Sequence, residues 1–131
     1  MTDYQLQYLR VFVRDFDRAL RFYAETLGLT ATFADASIGW AQFDTGACSL
    51  AIERVDPSDD EAIVESMPGL GQALVGRIAG CSLRVTDIEA TYRDLLVKGV
   101  EFVEPPERMP WGGVLAHFKD PDGNVLTLLG D

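Results

Sequence analysis

Val114-Leu115-Ala116-His117-Phe118-Lys119-Asp120-Pro121-Asp122-Gly123-Asn124-Val125-Leu126-Thr127-Leu128-Leu129 is the stretch whose reading decides the fold. Pro121 presets φ at the second position of a tight turn, Asp120 and Asp122 can bond neighbouring backbone groups, and Gly123 accepts a positive φ. The apolar runs on either side, Val114 to Phe118 and Val125 to Leu129, are therefore predicted to fold back on one another as a hairpin. This hairpin carries the only histidine, His117, and sets a polar Thr127 inside an otherwise apolar strand.

Working outward, the same order of elements occurs twice. Before the hairpin, Cys81, Leu83 and Val85 alternate with Ser82 and Arg84, which predicts a strand. Asp87 can cap a helix whose apolar stripe is Ile88, Tyr92, Leu95 and Leu96 and which Gly99 ends, and Val100 to Val103 reads as a further strand. In the first half, Gln5 to Val13 alternates Leu9, Val11 and Val13 with Tyr8, Arg10 and Phe12. Asp15 can cap a helix with Phe16, Leu20, Tyr23 and Leu27 on one face, stopped by Gly28; strand-like runs follow at Leu29 to Ala34, Ile38 to Asp44 and Ala47 to Glu53. Each half is thus βαβββ. Sliding one over the other superposes Val13 on Val85, Asp15 on Asp87 and Arg21 on Arg93, so an internal repeat is the simplest account. We expect a single α+β domain over residues 1–131, with module one at 1–54, a linker at 55–77 containing one helical turn, and module two at 78–131.

A length of 131 residues suits one compact domain, and a 47% hydrophobic content suffices for its core. The net charge of −10, from 21 acidic and 11 basic residues, opposes binding to nucleic acid or anionic lipid. The acidic run Asp56-Pro57-Ser58-Asp59-Asp60-Glu61 reads as a solvated loop. No apolar run reaches the length of a membrane span, and Met1-Thr2-Asp3-Tyr4 lacks the features of a secretion signal, so the expected location is cytoplasmic. Cys48 and Cys81 fall in predicted strands without metal-type spacing, and the expectation is two reduced, buried thiols.

Each helix covers one face of its sheet, so the other face must be covered by the second module, a second chain or a ligand. The faces left over include Tyr8, Arg10, Phe12, Ser82 and Arg84, a mixture of aromatic and polar side chains suited to a ligand pocket. The repeat, the segment Asp15-Phe16-Asp17-Arg18-Ala19-Leu20-Arg21-Phe22-Tyr23 leading to Leu27-Gly28-Leu29, and the turn Phe118 to Asn124 resemble the vicinal oxygen chelate superfamily. That group includes glyoxalases, bleomycin-resistance proteins and extradiol dioxygenases. The resemblance implies two βαβββ modules forming a curved mixed-sheet cup, and often a homodimer.

The resemblance also implies where a divalent metal would be held: Tyr8 and Gly80 on the two first strands, Glu53 and Thr127 on the two last. A catalytic site needs about three protein ligands, and only Glu53 among these is a usual one, so no cofactor is expected. His117 can bind a polar ligand group or move a proton, or can be a histidine satisfied within the sheet. Arg10 and Arg84 can clamp an anion or pair with acids such as Glu53. Trp40 and Trp111 can stack on a ligand or pack, and Pro110-Trp111-Gly112-Gly113 reads as a rim loop. The leading reading is a small-molecule-binding protein without the usual metal, its cup lined by Tyr8, Arg10, Phe12, Trp40, Arg84, Trp111, His117 and Thr127. The alternative is a lyase, isomerase or dioxygenase-type enzyme acting on an oxygenated small molecule, with Glu53 and His117 as the working pair. A third is a homodimer whose cup is filled by its own side chains.

Overall fold

A computed structural model describes residues 3–55 and 74–131. The elements are β1 (Tyr8–Val13), α1 (Phe16–Arg21) continued by a π-helical turn (Phe22–Thr26), β2 (Ala31–Asp35), β3 (Trp40–Asp44) and β4 (Ser49–Arg54). Then come β5 (Ile78–Arg84), α2 (Ile88–Val97), β6 (Glu101–Phe102), β7 (Glu107–Arg108), β8 (Val114–Lys119) and β9 (Val125–Gly130). The first sheet has the order β1-β4-β3-β2 and the second β5-β9-β8-β6, with β7 also paired to β8. In each sheet the first strand runs parallel to the last, and the remaining pairings are antiparallel. This is the expected α+β architecture of two open mixed sheets.

Both predicted caps form. Asp15 Oδ1 accepts from Arg18 N at 3.1 Å, and Asp87 Oδ1 accepts from Ala90 N at 3.0 Å, each satisfying one of the unpaired donors of a helix start. Gly130 brings α2 onto β9, since a Cβ there would lie 2.8 Å from Ile88 Cβ. Several boundaries differ from expectation. The first helix changes to π geometry at Phe22 and does not run as one α-helix to Gly28, the strand expected at Val100 to Val103 is shortened to β6, and a further two-residue strand, β7, follows it. Pro105 and Pro106 separate them, because proline supplies no N–H to a ladder. Cys48 stands just before β4 and is half-buried, as is Cys81; both are free. The acidic run Asp56 to Glu61 and most of the expected linker lie outside the described residues. No helix among the described residues is long and apolar enough to cross a membrane.

The two sheets share one core, and α1 is held between them. Tyr23 packs on Phe43 of β3 with ring centroids 5.8 Å apart, and Phe22 on Phe118 of β8 at 6.3 Å. The core therefore draws Val11, Val13 and Ile52 from one sheet and Ala116, Leu126 and Leu128 from the other.

The turn that decided the sequence reading also ties the modules together. Gly123, at φ 84°, donates its N–H to the Asp120 carbonyl at 3.0 Å and closes the turn. Asp120 Oδ1 accepts from Asp122 N and Asn124 N, each at 2.9 Å; its Oδ2 accepts from the Tyr23 hydroxyl at 2.8 Å and from Asn124 Nδ2 at 2.9 Å. Asn124 Nδ2 also donates to the Phe12 carbonyl at 2.8 Å. Burial and then the Asp120 charge push the Tyr23 hydroxyl well above the usual tyrosine range, so it stays a donor.

Asp122 sits less favourably. Its Oδ1 accepts from Arg14 N at 3.2 Å, while the buried Oδ2 finds no hydrogen-bond partner among the described residues. Burial, reinforced by the Asp120 charge, raises its pKa against the opposing hydrogen bond from Arg14 N. A carboxyl whose folded pKa lies above its unfolded value is stabilising when protonated, and that contribution disappears as pH rises from the unfolded toward the folded pKa. Asp122→Asn is accordingly expected to raise Tm at pH 7, with the advantage shrinking below the ordinary carboxylate range. A melting series across pH checks this, and a Tm that falls at pH 7 would refute it.

Candidate functional site

Alternation along the strands gives each sheet an inner face toward α1 and an outer face away from it. On the outer face of module one, Tyr8, Arg10 and Phe12 of β1 lie beside Ser49, Ala51 and Glu53 of β4. Glu53 and Ala51 in turn lie beside Trp40 and Gln42 of β3, and Phe33 of β2 lies beside Gln42. Tyr8 meets Trp40 edge-to-face at 5.5 Å, the Arg10 guanidinium stands 5.4 Å from the Phe12 ring centre, and Arg10 Nη1 is 3.6 Å from Glu53 Oε1. Tyr8 remains 40% and Phe33 46% exposed, so this is an open aromatic surface with one ion pair at its centre.

The outer face of module two is polar. Ser82 of β5, Thr127 of β9 and His117 of β8 form a row across three strands, and Arg84 lies one step along β5. His117 Nδ1 is 2.5 Å from Glu104 Oε1, and the same oxygen accepts from the His117 backbone N at 3.2 Å. With Nδ1 engaged in this way, Nε2 is the ring atom left for other partners, and Thr127 is its cross-strand neighbour. Arg84 pairs with Asp131 at 3.2 Å. Trp111 is 66% exposed in the loop between β7 and β8, its ring lying over Gly113, where any side chain would overlap it.

The residues singled out from the sequence thus fall into two groups. Tyr8, Arg10, Phe12, Trp40 and Glu53 share the outer face of module one; Arg84, His117 and Thr127 share that of module two, with Trp111 in a loop of the same module. Among the described residues no hydrogen bond, ion pair or ring contact joins the groups. Glu104 is the functional candidate that sequence reading missed. Its signal was the register of β6 against β8: Phe102 pairs with Phe118, so the chain just after Phe102 runs past His117.

The family-type metal positions do not fit a divalent ion. Tyr8 is turned to Trp40, Gly80 has no side chain, Thr127 is a neutral hydroxyl, and Glu53 is held by Arg10. The described residues contain no group of three or more His, Cys, Asp or Glu side chains able to hold one.

Two βαβββ modules with open outer faces, joined through Tyr23 and the Asp120 turn, define a protein built on the duplicated fold of the glyoxalases. The chain belongs to the Glyoxalase/Bleomycin resistance protein/Dioxygenase superfamily, whose pattern matches residues 5–128. It is 32% identical over 123 residues to a bleomycin resistance protein of Klebsiella pneumoniae, covering 88% of this chain and 84% of that one. It is 30% identical over 128 residues to the uncharacterized protein YraH of Bacillus subtilis, covering 95% and 96%. Among solved structures, the antibiotic-binding protein TnmS3 of Streptomyces sp. CB03234 superposes with a TM-score of 0.73 at 30% identity, covering 99% of this chain and 98% of that one.

Proposed function

We propose that the protein is a cytoplasmic homodimer that binds a small organic molecule between its outer sheet faces, without a divalent metal. The observation that carries this reading is the module-one face, where Tyr8, Phe12, Phe33 and Trp40 surround the Arg10–Glu53 pair and remain partly uncovered. Aromatic side chains with a few placed polar groups are the usual lining of a small-molecule site. A bleomycin resistance protein and an antibiotic-binding protein among the relatives support a ligand of that kind. The net charge of −10 favours one that is cationic or neutral.

One outer face is only half of a cup. Because α1 lies between the sheets, the module-two face that would form the opposite wall is turned away from the module-one face of its own chain. A second copy related by a two-fold axis supplies that wall twice over, giving two equal cups per dimer. Each then has Tyr8, Arg10, Phe12 and Trp40 from one protomer, and Arg84, Trp111, His117 and Thr127 from its partner.

The test is native mass spectrometry of the purified protein, followed by titration with bleomycin monitored through tryptophan fluorescence and light scattering. The expected result is a dimer with two equivalent sites. A monomer at micromolar concentration that carries no ligand and gives no fluorescence response would sink the reading. The His117–Glu104 pair favours a second one, a metal-free acid–base enzyme in which Glu104 orients the imidazole and Nε2 accepts a proton.

A further inference from the structure

A further cavity lies mainly on the inner side and reaches the outer faces only at Ser49, Ser82 and Arg84. It is a space of about 800 Å³ on the inner side, where β1 and the start of β4 stand opposite β5 and α2. Its walls come from both modules and are aliphatic at their centre, with Leu9, Leu29 and Leu50 on one side and Leu83, Leu95 and Leu128 on the other, and polar side chains such as Asp44 and Asp94 contribute to the lining. No aromatic ring lines it among the described residues. Both cysteines open into it, Cys48 from module one and Cys81 from module two. Burial raises the Cys81 pKa, which keeps that thiol neutral and apolar in character.

Two of the three charged groups at the edge of this space are ion-paired, and the third, Asp44, bonds a backbone N–H. Asp94 pairs with Lys98 at 3.0 Å, Arg84 with Asp131 at 3.2 Å, and Asp44 Oδ1 accepts from Gly46 N at 3.0 Å. What remains for an occupant is aliphatic surface and the hydroxyls of Ser49 and Ser82. The charges of Asp44, Arg84 and Asp94 lie at the exposed rim, so a charged ligand entering the aliphatic interior would surrender its hydration there, whereas an uncharged one with a single hydroxyl or carbonyl loses little. Flat aromatic ligands gain most from stacking, which these walls do not offer. The volume falls within the range of about 300–1,000 Å³ usual for ligand sites.

We propose that this inter-module cavity is a second ligand site, which takes an uncharged aliphatic molecule such as a long-chain alcohol. It goes beyond the binding reading for the outer faces, with which it shares only Ser82, Ser49 and Arg84 at its edge. The two cysteines report on it directly, since the chain has no others. The experiment is alkylation of the full-length protein by iodoacetamide at pH 8, with and without dodecanol, each thiol being followed by peptide mass spectrometry. Dodecanol at about ten times its Kd is expected to slow both thiols about tenfold, by mass action on the occupied state. Leu83→Trp, which fills the space, is expected to abolish the protection; should that variant fail to fold, Leu29→Phe repeats the test from the other wall. Trp40→Ala, on the outer face, should leave the protection intact and so separates the two sites. Unchanged rates at the solubility limit of dodecanol would overturn the proposal. So would thiol protection that rises with protein concentration in the absence of dodecanol, which would mean that a second copy closes the cavity.

Discussion

Replacing Asp120 with alanine is expected to cost about 4 kcal/mol of stability, at the top of the range for single substitutions. Asp120 is only 5% exposed, and its two oxygens accept from four donors. Removing the carboxylate leaves the buried Tyr23 hydroxyl and the Asn124 side chain short of an acceptor, at about 1–3 kcal/mol for each group left unsatisfied. The loss is larger than for an ordinary turn residue because the Tyr23 bond joins residues 97 apart in sequence, from different modules. Tyr23→Phe removes one donor and should cost about 1–2 kcal/mol. The two changes together should cost less than their sum, because they share a bond. Urea unfolding of the three variants measures this; an Asp120→Ala protein within 1 kcal/mol of wild type would show that the turn is not what joins the modules.

That joint marks the limit of what the sequence made legible. The turn, both helix caps and the alternation of every long strand were readable, because each depends on residues within a few positions of one another. Asp15 and Asp87 cap through donors three residues on. The π-helical turn at Phe22 was not readable, because the apolar stripe from Phe16 to Leu27 fits an α-helix as well, and the core around Tyr23 and Phe22 decides between them. Nor was the side on which the modules meet. Alternation tells which residues share a face, but only contacts such as Phe22 with Phe118 show that the inner faces are joined through α1. Glu104 falls in a segment with Pro105 and Pro106 and no periodicity, so it acquires a role only once β6 is placed beside β8. The positions of Tyr8, Trp40, Glu53, His117 and Thr127 on their strands followed from pattern; their separation onto two outer faces of one chain did not.

That separation makes the second large effect a decisive one. On the proposed outer-face site, Trp40→Ala is expected to weaken binding of the ligand probed there by about 30- to 100-fold, equivalent to about 2–3 kcal/mol, as for a central aromatic anchor. The fold should survive, since Trp40 stands on the outer face and its ring partner is Tyr8 rather than a core residue. His117→Ala should cost about tenfold, the value of one hydrogen bond to a ligand. If instead a substrate is turned over, His117→Ala should abolish turnover while binding persists, and the acid–base reading takes precedence. Mixing the two variants then tests the architecture of the cup. In a dimer with one Trp40→Ala and one His117→Ala protomer, a cup built across the two copies carries either both lesions or neither. Half of the sites in such mixed dimers should therefore recover wild-type affinity. A cup built within one chain would carry one lesion in every site, and no mixture could restore it. Recovery of the tight-binding fraction after co-refolding shows that the ligand is held between copies, and its absence in a confirmed mixed dimer places both walls in a single chain.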